Sequence, residues 1–181
     1  MKGKSYQTEG FVLAKIDYGE ADRLLVIFTL KLGKVRLIAK GIRKLQSRKR
    51  GHIEVFNLVK IQAHRGRNLD ILTEAEVVDH FPEIRVSLKK ISLAYYFMEV
   101  VGRIIHDEEP NEDLFKLILD NLNNLKCTVN LKKLRLAFTT DLLTLLGFWP
   151  KGVLLNDPDI KLQEVLEREL STVRVGRRLS S

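Results

Sequence analysis

Cysteine is nearly missing from this sequence: Cys127 stands alone among 181 residues. An intramolecular disulfide is therefore excluded, as is a zinc site built on several thiolates, and a reducing cytoplasm suits the chain. As a free thiol, Cys127 is read as a small residue at a helix end. Histidine is sparse too. His52, His64, His80 and His106 are scattered, and none has a second His or a Cys at metal-ligand spacing. The sequence also lacks a Gly-x-Ser-x-Gly elbow and a phosphate-binding Gly-Lys-Ser/Thr loop, so neither catalysis nor a cofactor is expected. No apolar run approaches the ~18 residues of a membrane span. Lys2 and Lys4 do not open a leader peptide, because Glu9, Lys15 and Asp17 interrupt any apolar core after them. The turn acids Asp17, Glu20 and Asp22 lack calcium-loop spacing, and pairing of Glu20 or Asp22 with Arg23 or another basic residue, to fix the turn, is the expected use of them.

What is present is positive charge, and it is one-sided. The net charge is +8, and residues 1–80 carry 16 Lys/Arg against 9 Asp/Glu, while residues 81–181 carry 15 against 14. An excess confined to one half points to a dedicated polyanion-binding module. That half reads as short strands with period two or compact apolar runs: Tyr6 to Ile16, Leu24 to Leu30, Lys34 to Ala39, His52 to Ala63 and Leu69 to Ala75. Turn residues separate them at Asp17 to Glu20, Leu32-Gly33, Gly41 to Gly51 and Arg65 to Asn68. Closure into a five-stranded OB-type barrel removes the exposed edges.

Pro82 marks a change of period. Leu88, Ile91, Tyr95, Met98, Val101 and Ile105 recur at helical steps. Asn111 caps a second helix with Leu114, Phe115, Ile118, Leu122 and Leu125 on one face. A third runs from about Leu131 to Leu146 and ends at Gly147 and Pro150, and a fourth is expected from about Leu162 to Leu170. The expected class is α+β: a barrel domain over 1–80 and a helical domain over 81–181 with a basic C-terminal tail.

The candidate nucleic-acid contacts follow from charge and position. Lys40, Arg43, Lys44, Arg48, Lys49 and Arg50 crowd the loop between two strands, where flexible cations reach successive phosphates. Arg65 and Arg67 sit at another strand junction and extend the same path, while Arg23, Lys34 and Arg36 are placed on the barrel wall. No base-reading pattern is visible, so binding is expected to follow the backbone, of a duplex as well as of a single strand. Phe11, Phe28 and Phe56 read as core; Tyr18, beside a turn glycine, is the stacking candidate. Arg168, Arg174, Arg177 and Arg178 are candidate secondary contacts to DNA or a partner, and equally ordinary solubilising residues. An RNA-binding barrel and a protein–protein adaptor share these features and stay open on the residues alone.

Short pieces in order carry a resemblance. Tyr18-Gly19-Glu20-Ala21-Asp22-Arg23, Phe28-Thr29, Gly33-Lys34, Ala39-Lys40-Gly41-Ile42-Arg43-Lys44 and Ser47-Arg48 are followed by Phe56, Arg65-Gly66-Arg67, Leu69, Leu72-Thr73 and Glu76. Ala94-Tyr95-Tyr96 with Glu99, Glu109-Pro110, Leu114-Phe115 and Leu145-Leu146-Gly147-Phe148-Trp149-Pro150 continue the series. Over residues 1–150 this resembles the RecO family of recombination mediators. The resemblance implies a non-enzymatic DNA-binding protein of the cytoplasm and nucleoid, which anneals strands and assists RecA loading on strands coated by the single-strand-binding protein SSB. It implies RecR and the SSB C-terminal tail as partners, with RecA engaged indirectly. The chain departs from the family after Pro150: Lys151 to Asp159 has no Cys or His, so the four-cysteine zinc module of many members is absent there.

Overall fold

The computed structural model describes residues 5–43, 53–106 and 109–167. Among them are five strands, β1 (Ser5–Tyr18), β2 (Asp22–Thr29), β3 (Gly33–Ala39), β4 (Leu58–His64) and β5 (Asp70–Asp79). They close into a barrel in the order β1-β2-β3-β5-β4, antiparallel throughout except for the β3–β5 pair. A path of paired residues runs Ile16, Leu24, Ile38, Ile71, His64 and returns to β1 at Ser5, eleven residues before its start. Such a stagger lets so few strands close around side chains alone. The β3–β5 seam is short, joined only through Leu37 with Asp70 and Ile38 with Ile71.

Alternation along the strands builds two cores. Val12, Leu25, Ile27, Val35, Leu37, Val59, Ile61 and Leu72 point inward and fill the barrel, with Ile42 and Ile53 beside them. Phe11, Leu13, Phe28 and Leu58 point outward, yet they too are buried, against helices. The helices are α1 (Pro82–Arg85), α2 (Leu88–Ile104), α3 (Glu112–Cys127) and α4 (Leu131–Leu145); residues 158–167 are helical as well. Phe115 of α3 reaches the barrel wall, its ring centroid 4.8 Å from Phe11 and 6.4 Å from Phe28. The three barrel phenylalanines are core residues as expected. The core they join is the seam between strands and helices, not the barrel interior.

Several boundaries move. Residues 53–57, expected in the fourth strand, form a loop in which Phe56 takes φ 61 and is fully buried. Left-handed backbone is costly for an aromatic residue and persists only where neighbours enforce it. Arg85 does so: its guanidinium lies 4.0 Å from the Phe56 ring centroid and donates to Asn57 Oδ1 at 2.6 Å and Val55 O at 3.3 Å. The one-turn helix α1 is an element that the change of period does not mark, although Pro82 sits at its start. Asn111 caps α3 as expected, its Oδ1 accepting from Leu114 N at 2.8 Å, and Asn130 caps α4 in the same way.

Residues 158–167 are tied to α4 by a two-pronged pair, in which Arg135 donates to both carboxylate oxygens of Asp159, one at 2.8 Å. The hydrogen bond from Arg135 holds the Asp159 carboxyl below its ordinary range. A depressed carboxyl contributes stability above its unfolded pKa and loses it as pH falls through the folded one. Asp159→Asn should therefore lower stability at pH 7, by less than about 1 kcal/mol because the pair is half-exposed. The gap to the parent should shrink well below pH 4. Urea unfolding at both pH values checks this, and an equal gap at both would assign the effect to something other than the ion pair.

Candidate nucleic-acid interface

The β1–β2 hairpin defines one pole of the barrel. Its register sets Asp17 opposite Arg23 and Tyr18 opposite Asp22. Asp17, not Glu20 or Asp22, therefore pairs with Arg23, at 2.9 Å, and the Arg23 hydrogen bond lowers its pKa. Asp22 instead holds the next strand, its Oδ1 accepting the Gly41 N–H at 2.7 Å. The end of β3 is thereby fastened to the hairpin. Arg43 completes the junction, its backbone N–H donating to Ala21 O and its guanidinium to Gly19 O, both at 3.0 Å, with Asp17 at 3.5 Å. Cross-strand pairing was the signal that would have selected Asp17 from the sequence.

Tyr18 is 53% exposed at this pole, and Lys40 and Arg43 are exposed beside it. Lys44, Arg48, Lys49 and Arg50 lie outside the described residues, as do Arg168, Arg174, Arg177 and Arg178. The residues flanking the basic segment are informative. Ile42 and Ile53 are both buried in the barrel core, and Glu54 pairs with Lys15 of β1. The described residues on either side of that stretch are thus anchored in the barrel.

Lys34, expected on the barrel wall among the DNA contacts, is turned against the helices. It points outward from β3, as the alternation implied, but only 7% of it is exposed. Its ammonium donates to Gly102 O, in the last turn of α2, at 3.2 Å and to the carbonyl of the C-cap residue Ile105. The C-terminal end of a helix carries the negative end of its dipole, so a cation is the favourable cap. Arg36, two residues on, is exposed on the same outer face.

Arg65 and Arg67 do not continue the path around the hairpin pole. They occupy the β4–β5 turn, next to the start of β1: Ser5 pairs with His64, and the Arg65 guanidinium lies 5.4 Å from the Tyr6 ring centroid. Tyr6 and Tyr18 are twelve residues apart on β1, about 40 Å of strand. Lys31, in the β2–β3 turn, lines the same far pole. Sequence reasoning missed Lys31 and Tyr6, although Lys31 sits at an obvious turn. Among the described residues, no group of three or more His, Cys, Asp or Glu is placed to hold a metal ion. No helix among them is long and apolar enough to cross a membrane.

Comparison with known proteins gives this geometry its setting. Residues 1–81 match the family model "Recombination protein O N terminal", and residues 85–152 match "Recombination protein O C terminal". The chain is similar to proteins named DNA repair protein RecO. That of Roseiflexus sp. (strain RS-1) is 38% identical over 151 residues, covering 83% of this chain and 53% of the relative. The Pelotomaculum thermopropionicum protein is 37% identical over 147 residues, covering 81% and 57%. The Gloeobacter violaceus protein is 38% identical over 128 residues, covering 71% and 49%. The chain spans about half the length of these curated relatives. With both family models matched in order, one over the barrel and one over the helices, the chain belongs to the RecO family of DNA repair proteins.

Proposed function

We propose that the chain is a recombination mediator that binds DNA through the barrel and works by assembly. The hairpin pole holds the phosphate backbone of single- or double-stranded DNA. The helical half docks RecR and the acidic tail of SSB, and together they let complementary strands anneal and RecA load on SSB-coated DNA at the nucleoid. The observation that carries this reading is the exposure of Lys40 and Arg43 at the hairpin pole, immediately before a stretch of sequence with four further Lys/Arg. Cations presented by a barrel neutralise phosphates and release counterions without reading bases.

The test is annealing of complementary oligonucleotides coated with the cognate SSB, across a salt series, with the protein added last. Annealing that weakens steeply as salt rises is the expected result. Annealing of bare strands alone would remove the partner-docking part of the proposal. A complete lack of DNA binding at low salt would overturn the whole of it, and a marked preference for RNA at fixed salt would replace DNA as the ligand.

A further inference from the structure

The pocket at the far pole is a built feature that binding at the hairpin pole leaves unused. It has a volume of about 140 Å³ and is lined by Tyr6, Lys31, Leu32, Val35, Arg65 and Asp70, with Pro110 closing one side. It opens where β3 and the β4–β5 hairpin diverge, below the short β3–β5 seam. Asp70 is its one lining carboxylate, and both oxygens are occupied: Oδ2 accepts from Tyr6 OH at 2.7 Å and Oδ1 from Gly66 N at 3.1 Å. Glu109, next to Pro110, lines a neighbouring cavity. Lys31 and Arg67 are exposed, and among the described residues neither has a carboxylate within ion-pair distance. Arg65 is spread over the Tyr6 ring, which orients its planar guanidinium at the pocket mouth.

We infer that this pocket is a second phosphate anchor, which grips the same nucleic-acid strand that the hairpin pole holds. The inference rests on the proposed binding of DNA by the barrel. Strand β3 joins the two poles, with Lys31 before it, Arg36 exposed past the point where the end of α2 covers Lys34, and Lys40 after it. Nine residues from Lys31 to Lys40 make a track of about 30 Å. Three other walls are less suited to a polyanion. Phe11, Leu13 and Phe28 on β1 and β2 are covered by helices, and β5 presents Glu74 and Glu76 to solvent. A base splayed from the strand at the far pole meets Tyr6 and Arg65, the planar groups that single-strand-binding barrels use for stacking.

The experiment compares the full chain with the triple variant K31A/R65A/R67A. Two single strands are titrated over a salt series, one of about 16 nucleotides and one of about 4, the ends of the ordinary site-size range for such a barrel. For the long strand, the variant should bind at least about tenfold more weakly, with a salt slope smaller by about 2. The short strand should still bind the variant through the hairpin pole, which also reports that the barrel is folded. K31R/R65K/R67K should restore the long-strand slope. An unchanged slope and affinity for the long strand in the alanine variant would overturn the second anchor while leaving DNA binding intact. Failure of the parent chain to bind either strand would instead overturn the binding of DNA by the barrel, and the anchor with it.

Discussion

Replacing Lys34 by alanine is expected to lower the free energy of unfolding by about 3 kcal/mol and to leave the salt dependence of DNA binding unchanged. Two effects combine. Hydrogen bonds to a charged group contribute about 1.5–3 kcal/mol net, and carbonyls left buried without a donor cost about 1–3 kcal/mol more, with overlap between the two. Lys34 supplies such bonds to Gly102 O and Ile105 O from a site where water has little access. Lys34→Met keeps most of the apolar stem and isolates the ammonium, so it should account for most of the loss. Urea unfolding of the three proteins measures this, and oligonucleotide titration at several salt concentrations measures the other half. A Lys34 variant with unaltered stability and a shallower salt slope would return this residue to the DNA-facing surface.

The second large effect is expected at the hairpin pole. Changing Arg43, Lys44, Arg48, Lys49 and Arg50 together to alanine should weaken DNA binding by about two orders of magnitude at low salt. Removing one cation from a phosphate lowers the salt slope by about 0.7–0.9, so removing all five lowers it by about 4. A change in net charge alone could mimic part of this. The control is therefore Lys89, Lys132 and Lys133 to alanine, three exposed cations of the helical half. The control should leave the slope near that of the parent. Equal slopes in the control and the loop variant would mean that the protein's overall field drives binding, with no localised contact.

How much of this was legible beforehand follows from which physical signals a sequence carries. Alternation in Lys34, Val35, Arg36 and Leu37 fixed the faces of β3 correctly, since period two is a property of the strand itself. What lies over a face is not in the pattern. Lys34 and Arg36 look equivalent in sequence, yet the end of α2 covers one and leaves the other in solvent. The run from Ile53 to Ile61 reads as one strand because apolar residues on both sides of the chain erase the alternation; the left-handed turn at Phe56 breaks it, held by Arg85 from a distant segment. The Asn111 cap and the stop at Gly147 were visible because they are local chemistry. The division of cations between two poles was not visible, since it arises from the stagger that sets the β4–β5 turn beside the start of β1. The switch from strands to helices near Pro82 was readable from the change of period, but the shared core of Phe11, Phe28 and Phe115 was not.

That shared core bears on how such a protein can change over generations. A barrel whose outer wall is finished in phenylalanine, and whose Lys34 needs a helix end, is a poor cassette for gene shuffling. Spliced into another protein, it would bring a sticky face and a stranded cation, and the new host would have to supply both an aromatic knob and a row of spare carbonyls. Duplication of the whole chain, or drift at its exposed turns, leaves that arrangement untouched, so inheritance should keep the strands and the helices as one parcel.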